Sequence, residues 1–168
     1  MSKLRAQDRL QPALLDRLTD DDPTNPAEAI EMRIISRPRM REAVLRDLSW
    51  LFNTTFLSTG DEFAPYPEVR RSVLNYGLPA LSGQTASSID AVILQNKVKT
   101  AILDHEPRIL ADTLKVEVLM SEQQLDHHNQ ISFRISGQLW AQPVPLELLL
   151  QTNIDLETGQ VEIKTLAS

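Results

Sequence analysis

The chain has 168 residues, with 17 Lys and Arg against 23 Asp and Glu, and no cysteine. That length supports one sizeable core plus a tail, while the mild net charge of −6 argues against a general nucleic-acid binder, which needs a basic face. Without cysteine there are neither disulfides nor thiolate metal sites, a composition that fits a reducing compartment.

The stretch MSKLRAQDRLQPALLDRL carries charges throughout and has no apolar run of signal-peptide length. No segment approaches the roughly 20 apolar residues that span a bilayer. A soluble, cytoplasmic protein is the expectation. Residues 1–38 read as an N-terminal arm and linker, and 39–168 as a single α+β domain. Within the arm, PALLDRL (12–18) is amphipathic, with Leu14, Leu15 and Leu18 sharing one face over a turn or two of helix. It ends in TDDDPTNP, whose acids and prolines break helices and suit a solvated linker. So short a helix does not hold alone in water. It docks on its own domain or on a partner, and the sequence leaves both open.

In RPRMREAVLRDLSWLFNTTF, the residues Val44, Leu45, Leu48, Leu51 and Phe52 follow the spacing of an amphipathic helix. Pro38 suits its first turn, and Asn53, Thr54 and Thr55 favour its exit. Arg37, Arg39, Arg41 and Arg46 crowd the end of the helix dipole that disfavours cations, as a solvated face or as a surface for an acidic partner. A Gly-, Pro- and Ser-rich segment follows, with a short helix or turn around Glu68 to Leu74 that Gly77-Leu78-Pro79 closes. Next, SSIDAVILQNKVKTAILDHE predicts a helix over 88–105. Ser87 and Asp90 form its capping box, and Ile89, Val92, Ile93, Val98, Ala101, Ile102 and Leu103 form its apolar face.

After Leu110 the period changes from 3.6 to 2. Leu114, Val116, Val118 and Met120 alternate with mostly polar residues, and SEQQLDHHNQ makes a turn. Ile131, Phe133, Ile135 and Leu139 then alternate, with Gly137 as a bulge or bend. Leu146, Leu148 and Leu150 form a third strand, NIDLETGQ turns the chain, and VEIKT supplies a short last strand. Strands joined by short turns pair antiparallel. The predicted class is therefore α+β: two main helices packed on a small antiparallel sheet, a meander of three to four strands, after an N-terminal arm.

The residues offer little for chemistry. Glu106, beside Asp104 and His105, tempts a glycosidase assignment. Yet it precedes a proline, which ends the helix, Arg108 would hold it ionised, and no second carboxylate across a cleft is specified. Asp126, His127 and His128 lie in a polar turn, where adjacent side chains diverge, so a solvated loop is preferred to a metal site. With five glycines in the chain and no P-loop, dinucleotide or nucleophile-elbow motif, no cofactor is expected. What remains is the Glu106-Pro107-Arg108 corner. It can pin a partner through charge-assisted bonds, or bond its own backbone at the helix exit. A sheet edge able to accept another chain's strand completes the inventory.

Four strings carry a resemblance: LLDRLTDD (14–21), REAVLRDLSWLFNT (41–54), YPEVRRSVLNYGLPALSG (66–83) and HEPRI (105–109). In this order they resemble the TssE family, the E subunit of the bacterial type VI secretion baseplate. That family is similar to the small, so-called lysozyme-related wedge protein of contractile phage tails, and Glu106-Pro107-Arg108 matches its signature triplet. The resemblance implies a non-enzymatic wedge subunit that sits with TssF and TssG, near TssK. It implies a platform on which the TssB/TssC sheath polymerises around the Hcp tube. By this likeness Glu106, Pro107 and Arg108 grip the TssF–TssG core bundle, and Leu14, Leu15, Arg17 and Leu18 add a second contact. No nucleic acid, membrane insertion or cofactor is implied. The alternatives are a muramidase-like hydrolase using Glu106, or a generic adaptor domain. For a gripping corner, Arg108→Ala should abolish co-purification with the baseplate and leave thermal unfolding nearly unchanged.

Overall fold

A computed structural model describes residues 13–19, 24, 35–57, 63, 65–83, 89–119, 129–141 and 144–166. Met120, Asp126, His127, His128 and Ser87, which enter the expectations above, lie outside them. The architecture is α+β. Helices α1 (Leu14–Leu18), α2 (Arg37–Phe52), α3 (Pro67–Arg70), a 3₁₀ turn (Val73–Asn75) and α4 (Ala91–His105) precede strands β1 (Lys115–Leu119), β2 (Gln130–Leu139), β3 (Leu146–Asp155) and β4 (Val161–Thr165). The strands form one antiparallel meander in the order β1-β2-β3-β4.

Ser36 caps α2 by accepting from the Arg39 N–H, with Pro38 in the first turn, and Asn53 closes the other end. Met40, Ala43, Val44, Leu48, Leu51 and Phe52 are its buried residues. Just before it, Ile35 already belongs to the core. On α4 the cap is Asp90 itself, whose carboxylate accepts from the Val92 and Ile93 N–H groups, so the helix starts at Ala91. The expected apolar face of α4 is also corrected. Leu94, Val98 and Ile102 are buried, while Val92, Ile93 and Leu103 are exposed. The fully buried row has four-residue spacing, and the predicted Ile89 and Ala101 pack partly buried against the core beside it. The run of branched residues had made the face look broader.

Inward-facing Val116, Ile131, Phe133, Ile135, Leu148, Leu150, Ile154 and Val161 cover one side of the sheet and pack with α2 and α4 in one cluster. Gly137 makes no bulge. It pairs with Leu148 in an unbroken register. The predicted turn NIDLETGQ starts too early, because β3 runs on to Asp155 and both Ile154 and Leu156 are buried. Turn residues there are confined to Asp155–Gln160, where the Asp155 carboxylate accepts from the Glu157 and Thr158 N–H groups. Gly77 adopts φ +126°, and a Cβ there would meet the Thr54 carbonyl oxygen at 2.3 Å. This closeness lets Thr54 to Phe56 bond the Leu78 backbone in both directions, at 2.8 and 3.0 Å.

Candidate partner-docking site

The four-residue row of α4 explains the corner. Leu94, Val98 and Ile102 are followed, again four residues on, by Glu106. Its N–H still bonds the Ile102 carbonyl at 2.8 Å, so the last member of an inward-facing row is an acid. Glu106 is 3% exposed. The turn at exposed Pro107 then folds Arg108 back over it. Arg108 donates from Nε to Glu106 Oε1 at 2.6 Å, from its second terminal nitrogen to Glu106 Oε2, and from its backbone N–H to Oε1 at 3.2 Å. Burial opposes the guanidinium charge, but Glu106 and then Asp47 outweigh it and raise the Arg108 pKa above the ordinary arginine value.

Asp47 is the hub that sequence reasoning missed. It accepts from Arg108 on one oxygen and from Arg46 Nε on the other at 2.9 Å, and its backbone carbonyl accepts from the Tyr76 hydroxyl at 3.2 Å. The Tyr76 ring meets His105 edge-on at 5.1 Å. A signal was present: Asp47 stands on the apolar side of α2, three after Val44 and four after Ala43, where a lone acid needs a cation. The corner is also tied to the sheet. Trp140 N–H donates to the Arg108 carbonyl at 2.7 Å, Leu110 N–H to Gln138 at 2.8 Å, and Ile109 bridges Leu139.

The arm joins the same network. Asp16 on α1 accepts from Arg46 at 2.6 Å, and that bond, against the cost of burial, lowers the Asp16 pKa. The Arg46 guanidinium also lies 5.2 Å from the Trp50 ring centre. Thus Asp16, Arg46, Asp47, Arg108 and Glu106 form one chain of charges linking α1, α2 and the corner. Leu14, Leu15, Arg17 and Leu18 are all exposed. The acid within LLDRL bonds the domain, while its leucines stay exposed.

The expectation that Arg108→Ala leaves unfolding nearly unchanged does not survive this geometry. Without Arg108, a buried carboxylate loses its cation. The corner is braced from within and still leaves the Arg108 side chain 24% exposed.

The sheet has two edges. Antiparallel pairing turns alternate residues outward. The Asp155–Gln160 and Leu166–Leu149 bonds set the phase on β4, so Val161, Ile163 and Thr165 direct their backbone groups to the margin. Asn53 seals Val161: its amide nitrogen donates to the Val161 carbonyl at 3.0 Å and its oxygen accepts the Val161 N–H at 2.9 Å. On β1 the backbone groups of Val116 and Val118 point to the margin, but Val116 is buried and Gln95 of α4 takes the Val118 N–H at 3.4 Å. The groups of Ile163 and Thr165 are the better candidates for strand addition.

The family model of baseplate wedge protein gp25 matches residues 38–144, more than half of the chain. The chain belongs to that family. The match covers α2, the Gly77 segment, α4, the Glu-Pro-Arg corner and the first two strands of the meander. Membership gives it a structural role in a phage-tail-like baseplate, in contact with other baseplate components. No curated protein and no solved structure gives a significant match. Among the described residues, no cluster could hold a metal ion and no helix is long and apolar enough to cross a membrane.

Proposed function

We propose that this wedge-family subunit is a non-enzymatic, cytoplasmic component of a type VI secretion baseplate. It docks on TssF and TssG through Glu106, Pro107 and Arg108, with Leu14, Leu15, Arg17 and Leu18 as a second contact. TssK is a near neighbour. The 39–168 domain, with 1–38 as its arm, offers β4 as the margin on which the TssB/TssC sheath starts around the Hcp tube.

The carrying observation is the held geometry of Arg108. Two carboxylates fix its guanidinium while part of the side chain stays open, and Trp140, whose N–H bonds the Arg108 carbonyl, is 42% exposed. An arginine already immobilised loses little entropy when a partner binds, and interface anchors are enriched in Arg and Trp. Glu106 suits support better than acid catalysis, because both its oxygens accept from Arg108. The groove of about 370 Å³ lined by Arg41, Thr113, Lys115 and Glu147 does not include it.

The test is binding of purified TssF–TssG complex at 10 °C, where circular dichroism first establishes that each variant is folded. Folded Arg108→Ala should lose at least about tenfold in affinity. Unchanged binding by that variant, or Glu106-dependent cleavage of cell-wall glycan by the wild type, would sink the proposal.

A further inference from the structure

An amphipathic helix that packs on its own domain turns its apolar side inward, whereas α1 does the reverse. The Asp16 side chain is 8% exposed, while Leu14 and Leu18 are 69% and 73% exposed. Five residues do not hold a helix in water. The bond to Arg46 therefore keeps these leucines on display, and Trp50, 51% exposed, lies across the same guanidinium.

The charges at this place do not balance. Asp16, Asp47 and Glu106 meet only Arg46 and Arg108. Each arginine is already divided between two acids, and among the described residues the ion pairs of these acids run to those two alone. The surplus shows at Asp16: the Ala13 backbone N–H also faces its carboxylate, but its buried Oδ2 has no donor in full hydrogen-bonding position. A buried carboxylate oxygen short of a charged donor is costly and favours a further cationic partner group. One terminal nitrogen of Arg46 also lacks a hydrogen bond, but it lies 2.9 Å from Asp47 Oδ1 and so has a charge beside it.

We infer that a helix of another baseplate component completes this site. Its apolar side covers Leu14, Leu15, Leu18 and Trp50, and it directs one arginine or lysine at Asp16 Oδ2. The inference rests on the docking role proposed above and names the chemistry of the docked element. The soft χ2 torsion of an aspartate lets a small turn bring Oδ2 to the incoming donor. A second copy of this chain is a poor occupant, since each carries a net charge of −6.

The experiment uses the full chain and the purified TssF–TssG complex as probe. Asp16→Asn and Leu18→Ser should each weaken binding at least about tenfold, and Asp16→Asn should flatten its salt dependence. Leu18→Ser keeps the test meaningful if Asp16→Asn releases α1, because Leu18 is exposed. A photo-cross-linker at position 18 should attach to a partner helix within one turn of an arginine or lysine. The inference stands only if both variants lose affinity and the cross-link falls there. Attachment to residues 1–12 of the same chain, to a second copy or to an acidic segment overturns it. If Arg108→Ala loses binding while Asp16→Asn and Leu18→Ser bind normally, the corner role survives and this inference falls. If all three bind as wild type, both fall.

Discussion

At the scale of single residues, Arg108 braces Glu106 and is the proposed contact, and the two roles have different signatures. Removing it leaves Glu106, 3% exposed, without a cation. Breaking one member of a buried pair costs about 3 kcal/mol, which lowers Tm by roughly 6–12 °C for a chain of this size. Calorimetry of Arg108→Ala should show that drop, and Arg108→Ala with Glu106→Leu should recover part of it. An Arg108→Ala variant that melts like the wild type would rule out the brace. Asp16 provides a pH readout. Its carboxyl is held below the ordinary 3.8, first by the Arg46 bond and against burial. A depressed folded-state value stabilises docking of α1 above pH 3.8, and that stabilisation is lost as pH falls through the lower value. In a Trp140→Phe background, Trp50 fluorescence should change reversibly below pH 3.8, and Asp16→Asn should lack this change. A midpoint above 3.8 would contradict the assigned direction. These roles were only partly legible in the sequence. Glu106 and Arg108 stand out beside a proline, but Asp16 and Asp47 are ordinary acids until folding brings distant segments together.

At the scale of elements, the helix and strand periods were legible because burial on one side forces them. Errors arose where a local pattern had two readings. Val92 and Ile93 look like core, yet Leu94 takes the inward position, because the four-residue row through Val98 and Ile102 fixes the orientation of α4. Asn153 looks like a turn residue, yet it pairs with Ser132 across the sheet on both backbone and side chain, and the strand continues. Gly77 stops the short helical segment as its sequence suggests, but its reason is tertiary. Gly77→Ala places a Cβ against the Thr54 carbonyl and forces a side chain into positive φ. It should cost at least about 2 kcal/mol, measured by urea titration, and near-wild-type stability would discount the close approach. Thr165→Pro tests the β4 margin. The N–H it removes points away from β3, and proline is tolerated on edges in that setting. Stability should fall by less than about 1 kcal/mol, while assembly of sheath on the baseplate is lost.

At the scale of the whole molecule, α2 joins the two proposed surfaces without merging them. Arg46 and Asp47, midway along it, hold α1 and the corner, whereas Asn53 at its end closes the start of β4. Among the described residues no hydrogen bond or ion pair joins the five-charge chain to Ile163 or Thr165, so defects in each should combine independently. The proposal that the wedge is held at one place and nucleates sheath at another predicts a separation of function. Thr165→Pro should still enter the baseplate, as judged by co-purification with TssF and TssG, but assemble few sheaths when fluorescent TssB is imaged. Leu18→Ser should fail at the earlier step and assemble few sheaths because it never enters. The double variant should resemble Leu18→Ser alone, since a subunit absent from the baseplate has no margin to offer. Loss of baseplate entry by Thr165→Pro at normal stability would mean that β4 also faces TssF–TssG, and the two surfaces would then be one.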